Sequence, residues 1–192
     1  MTIFGWLIAA CWATLVGYWC FCGAAAVRRI GSKWLWWREI ALRLGFFAAV
    51  MLLLQIEAAS QLLPNSAFYV LNTSTLMGFA GLLVVALGVG LAIAARVRLD
   101  SGWVASASSQ DTHELITIGP YGLVRHPLYG GLLLAMLGSA IGQSVLWVLP
   151  LIVYGPGFVL SARREEELLI ARFSERYRGY MGRTKMFIPF LW

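Results

Sequence analysis

The stretch PLYGGLLLAMLGSAIGQSVLWVLPLIVYGPGFVLSA, Pro127 to Ala162, has no charged residue in 36 positions. One helix of that length would run about 54 Å, well beyond the roughly 30 Å of a bilayer's hydrocarbon core. Gly142-Gln143-Ser144 near its middle has the polar, helix-breaking character of a turn. The stretch therefore predicts two short helices, 127–141 and 145–162, that enter a membrane and return. It brings both of its flanks to the same side.

Those flanks carry the polar chemistry. Upstream lies Gly119-Pro120-Tyr121-Gly122-Leu123-Val124-Arg125-His126-Pro127-Leu128-Tyr129-Gly130. Pro127 suits the first position of a helix and biases His126 towards an extended backbone. Arg125, His126 and free backbone N–H groups then gather at one helix N-terminus, an arrangement that binds anions. Arginine grips a carboxylate or phosphate with two parallel hydrogen bonds. Downstream, Glu166, Leu169, Ile170, Phe173, Tyr177 and Tyr180 recur at three- or four-residue steps, one face of a helix. Glu166 continues that stripe, whereas Glu165 lies about 100° away and points elsewhere. Arg163, Arg164 and Glu167 fall on more polar faces. A carboxylate on a buried face requires a partner or a ligand, and Glu166 suits an amine, a ribose or a cation. Tyr121, Tyr129 and Tyr177 suit either a ligand or the membrane interface.

The rest of the chain has the same solvent. Apolar residues make up 60% and charged residues 12% of the sequence, against about 45–50% and 25% in soluble proteins. The longest polar stretch, Arg96 to His126, leaves no room for a separate soluble domain. Ile3 to Val27 is uncharged and lacks a basic segment before it, so it reads as a first span rather than a cleaved signal. A second span, Leu44 to Leu63, contains Gln55, Glu57 and Gln61; Glu57 is expected to reach the outer interface or bond a neighbouring helix. The third is Leu76 to Ala95. Its Gly88-Val89-Gly90 follows no strand and is not a dinucleotide loop; small residues there allow close helix packing. Leu99 to Ile118, with a Ser-rich patch from Ser101 to Ser109, is expected to be a loop carrying function.

Basic residues cluster after the first, third and fifth spans, and the loops at 64–75 and Gln143 carry none. The positive-inside rule then gives five spans, with the N-terminus outside and the C-terminus cytoplasmic. The net charge of +6 sets topology and meets anionic head groups rather than nucleic acid. Cys11, Cys20 and Cys22 form no metal-ligand or disulfide pattern, and no metal is expected. The expectation is an all-α integral membrane protein in one domain, 1–192. Three N-terminal spans (1–95) precede a catalytic half (96–192) built on the hairpin and a cytoplasmic C-terminal helix.

With these motifs in view, the chain resembles the isoprenylcysteine carboxyl methyltransferase family. The resemblance runs from Ala92 to Pro189 and rests on Gly119-Pro120-Tyr121, Arg125-His126-Pro127-x-Tyr129-Gly130, Glu165-Glu166, Phe173, Tyr177, Tyr180 and Ile188-Pro189. Phospholipid methyltransferases share much of it. The chain departs from the family in Leu99-Asp100-Ser101-Gly102-Trp103, and in Ser174, where a glycine often follows the phenylalanine.

The resemblance implies an enzyme of the bacterial or archaeal inner membrane, or of an endomembrane, that uses S-adenosylmethionine on a lipid or prenylated substrate at the cytoplasmic face. It places His113, Leu115, Gly119, Tyr121, His126, Pro127, Tyr129 and Glu166 around the cofactor. It assigns catalysis to Arg125, His126 and Glu166, and the acceptor to Arg125, Arg163, Arg164 and Tyr177. A carboxylate acceptor arrives ionised; an amine or thiol must lose a proton, to Glu166 or His126. Glu166→Ala and Arg125→Ala are each expected to cut turnover roughly tenfold or more in a folded protein, with a milder effect for Glu165→Ala. The alternatives are a phospholipid or other lipid N- or S-methyltransferase, and an NADPH-dependent sterol-type reductase.

Overall fold

The structure, a computed structural model, describes residues 2–26, 74–106 and 115–189, with positions 45 and 48. Apart from positions 45 and 48, the second expected span with Glu57 lies outside the described residues, as do the loop after it up to residue 73 and His113.

Every regular element described is helical: α1 (Ile3–Ala26), α2 (Thr75–Ser106), α3 (Pro127–Gly142) and α4 (Val148–Arg183), with 3-10 turns at Gly119–Gly122 and Val145–Trp147. The break between α3 and α4 falls at the expected Gly142-Gln143-Ser144. Ser144 is extended there and its side chain accepts a hydrogen bond from Leu146 N–H, starting the 3-10 turn. Two helical stretches, Thr75–Leu99 and Val145–Arg183, are long and apolar enough to cross a membrane; Ile3–Trp19 and Pro127–Gly142 are shorter apolar helices. Large apolar side chains stand exposed along them, Ile152 at 64% and Val153 at 68%. A soluble helix would turn such residues inward.

Two expectations are corrected. The segment after Arg98 does not leave the helix at once, because α2 continues to Ser106. Adding residues to a formed helix costs little, and although Asp100, Ser101 and Gly102 are weak helix formers, no proline interrupts the run. The hairpin's second arm and the polar tail are one helix rather than two, running on through Arg183. That helix is broken at Ser174, whose backbone lies at φ 45 and ψ −122.

The described residues fall into two compact units, one within 1–86 and 137–150 and the other within 87–136 and 151–192. In the first, Trp12 stacks on Trp147 at 5.1 Å and donates from Nε1 to Ser139 Oγ at 3.0 Å. A Cβ on Gly81 would sit 2.3 Å from the Gly142 backbone, so only glycine permits that approach of α2 to α3. In the second unit, a Cβ on Gly131 would lie 2.6 Å from the Gly88 carbonyl oxygen. The glycines of the rejected dinucleotide motif therefore include a packing residue, as expected of small residues between apolar helices.

Candidate active site

The site lies wholly within the second unit and is built by a strap. Gly119, at φ +64, opens the 3-10 turn with Arg98 laid over it, and Leu123, still in a helical conformation, leads on through Val124 to α3. After α4 ends, the tail returns alongside this segment. Val124 and Lys185 form an isolated parallel bridge. Arg125 N–H donates to Lys185 O at 2.8 Å and His126 N–H to Met186 O at 3.0 Å. The Tyr180 hydroxyl donates to Tyr121 O at 2.6 Å. The backbone N–H groups of Arg125 and His126 are thus used by the tail.

The Arg125 guanidinium faces inward. Nε donates to Glu166 Oε1 at 2.6 Å, and Nη1 to the carbonyls of Thr184 at 2.5 Å and Met181 at 3.4 Å. Those carbonyls lie at and just beyond the C-terminal turn of α4, where a cation is favoured. Arg125 therefore joins the motif, Glu166 and the end of the tail helix. Both charged side chains of that pair are nearly buried, at 10% and 9% exposure.

His126 sits between two carboxylates. Its Nε2 is 3.2 Å from Glu166 Oε1 and its Nδ1 is 3.4 Å from Glu165 Oε2. The other oxygen of Glu165 accepts from the Tyr129 hydroxyl at 2.5 Å. Glu165 does not point elsewhere, as its helical angle implied. The imidazole projects from the start of α3 towards α4, and two long glutamates reach round to opposite edges of it. Burial lowers the pKa of His126, but the hydrogen bonds and charges of Glu165 and Glu166 outweigh it and leave the pKa raised. Burial likewise raises that of Glu166, while hydrogen bonds from His126 and Arg125, with their charges, leave it lowered.

The remaining candidates divide. Pro127 is buried at the first position of α3. Tyr177 is 1% exposed, packs edge-on against Tyr180 at 5.7 Å, and is held protonated by burial and the Glu166 charge. Tyr121 is buried and its hydroxyl pKa is raised, chiefly by that burial. Leu115 is half-buried. Arg163 and Arg164 are exposed on α4, and among the described residues no contact ties them to the cluster. Glu165 was expected on another face of the helix, although the doublet Glu165-Glu166 stood among the motifs; Thr184 and the Lys185–Met186 carbonyls were missed, because so short a backbone pairing leaves no periodicity to read.

Residues 76–176 match the phospholipid methyltransferase family. The chain belongs to that family of methyltransferases. Among curated proteins it is 33% identical over 137 residues to the protein-S-isoprenylcysteine O-methyltransferase of Mus musculus, covering 67% of this chain and 47% of that protein. The Homo sapiens protein of the same name is 32% identical over 139 residues, covering 67% of this chain and 47% of that protein. A cobalt-zinc-cadmium resistance protein, CzcN, of Cupriavidus metallidurans is 35% identical over 106 residues, covering 54% and 46%. The chain thus spans about half the length of the curated relatives it matches. No solved structure matches it.

Proposed function

We propose that this protein is a five-span membrane methyltransferase that moves a methyl group from S-adenosylmethionine to the carboxylate of a lipophilic, isoprenylcysteine-like acceptor. The names of its relatives support the class. The observation that carries the choice of acceptor is the state of Glu166. Its Oε1 is shared by Arg125 at 2.6 Å and His126 at 3.2 Å, and a buried carboxylate already held by a guanidinium and an imidazole is a poor proton acceptor. An acceptor that arrives ionised needs no base.

The residues present fit the cofactor. Its ammonium and sulfonium charges call for carboxylate, and Glu165 offers one that is 49% exposed. Its adenine calls for aromatic surface, and Tyr129 stacks with His126 at 6.0 Å and with Phe158 at 5.2 Å. By motif match, Leu115, Gly119, Tyr121, His126, Pro127, Tyr129 and Glu166 hold it together with His113. When bound it supplies an activated methyl. The chain's own work is then alignment and exclusion of water. Arg125 and His126 keep the tail closed over the motif, Tyr177 and Tyr180 fill the space beneath, and the acceptor's head group meets the cytoplasmic interface while its chain stays in lipid. In this reading the N-terminus lies outside and the C-terminus in the cytoplasm.

Calorimetric titration of the purified protein with S-adenosylmethionine, S-adenosylhomocysteine and NADPH tests the cofactor. Saturable binding of the first two, lost in Glu166→Ala, is expected; binding of NADPH alone overturns the reading. Labelled methyl transfer to a prenylated cysteine, but not to phosphatidylethanolamine, is expected next. The reverse result assigns an amine acceptor instead.

A further inference from the structure

We propose that His126 is held as an imidazolium between Glu165 and Glu166, with Glu165 as its positioning residue, so that the ring is a fixed cation of the site and not a proton acceptor. The argument is first one of donors. A neutral imidazole has one N–H and one lone pair; only the protonated ring donates from both nitrogens. Here both nitrogens face carboxylate oxygen, Nδ1 at 3.4 Å from Glu165 and Nε2 at 3.2 Å from Glu166. Either neutral tautomer would aim a lone pair at an anion. The residue is only 5% exposed, which leaves little room for water to relieve the repulsion.

Charge balance agrees. Around the ring stand Glu165 and Glu166 from α4, Arg125 through Glu166, the uncharged hydroxyl of Tyr129 from α3, and the ring of Phe187 at 6.0 Å. With the imidazolium, two cations meet two carboxylates; with a neutral ring the cluster would carry an excess negative charge around His126, Arg125 and Glu166, which are nearly buried while Glu165 is half-exposed, and that is costly. Glu165 is itself fixed at both oxygens, by Tyr129 at 2.5 Å and by His126. It therefore orients the ring through Nδ1 while Glu166 takes Nε2. Taken with the proposed chemistry, this removes His126 as a base for an amine or thiol acceptor.

The test requires neither cofactor nor acceptor. The chain has two histidines, so protein labelled with nitrogen-15 histidine in detergent gives two imidazoles, and His113→Gln assigns them. Through a pH titration, both nitrogens of His126 are expected to be protonated at neutral pH, with the transition above 6.5, the ordinary value. In Glu165→Gln the transition falls by roughly one unit or more, while Glu167→Gln on another face leaves it in place. A neutral His126 at pH 7 in the wild type overturns the proposal, and so does a transition unmoved in folded Glu165→Gln. The wild-type spectrum decides even where a variant does not fold. Loss of the methyl-transfer reading would leave this result standing.

Discussion

Arg125 shows how one side chain serves both fold and site. Its Nε holds Glu166 and its Nη1 holds the carbonyls of Met181 and Thr184. Removing it leaves a buried carboxylate with one partner fewer and helix-end carbonyls uncapped, a loss on the order of 3 kcal/mol. Arg125→Ala is therefore expected to lower the melting temperature as well as turnover. Arg125→Lys keeps the charge but not the fork and is expected to recover part of the stability. Thermal unfolding of both variants in detergent checks this. The neighbouring pair sets a pH window. Glu166 is depressed below its ordinary 4.5, so the stability it contributes is present above pH 4.5 and is lost as pH falls through the lower folded value. His126 is raised above 6.5, so its contribution is present below pH 6.5 and is lost as pH rises through the higher folded value. The melting temperature is expected to be highest between these values, and His126→Gln to flatten the alkaline limb; an unchanged limb would refute the linkage.

At the scale of elements, Ser174 is the informative position. Its φ of 45 with ψ of −122 is a conformation that glycine enters freely and a side chain enters at a cost of about 1–3 kcal/mol. The family resemblance places a glycine at this same position, and the break in α4 gives the physical reason. Ser174→Gly is expected to raise stability by about 1 kcal/mol, after the greater unfolded-state freedom of glycine is subtracted. Ser174→Val is expected to lower it, both read from melting temperature. The stripe from Glu166 through Tyr177 to Tyr180 was legible because 3.6-residue periodicity survives the break well enough for Glu166, Tyr177 and Tyr180 all to be buried. The role of Glu165 was not legible, since helical angle reports where a Cα points and not where a flexible glutamate ends. The strap of Lys185–Met186 against Arg125–His126 was hidden too, because pairing between distant segments leaves no local pattern in either.

For the whole molecule, the balance between apolar length and charge makes the strongest demand. The charge-free run from Pro127 to Ala162 turns at Gly142–Ser144, and charge resumes only at Arg163. In the proposed reading the basic residues that set orientation, Arg163 and Arg164, immediately precede Glu165 and Glu166 in the chain, so orientation and candidate site stand or fall together. If basic residues hold the site in the cytoplasm, the turn between α3 and α4 must face the other side. That consequence is open to a direct test. In a background with Cys11, Cys20 and Cys22 replaced, a cysteine at Val145, which is 42% exposed at the turn, is expected to react with a membrane-impermeant maleimide on intact cells. One at exposed Lys185 is expected to react only after permeabilisation. Labelling of both from outside would put the strap and the turn on one face and refute the in-and-out hairpin. The reverse pattern would keep the hairpin but invert it, moving the site away from cytoplasmic S-adenosylmethionine and undermining the proposed reaction.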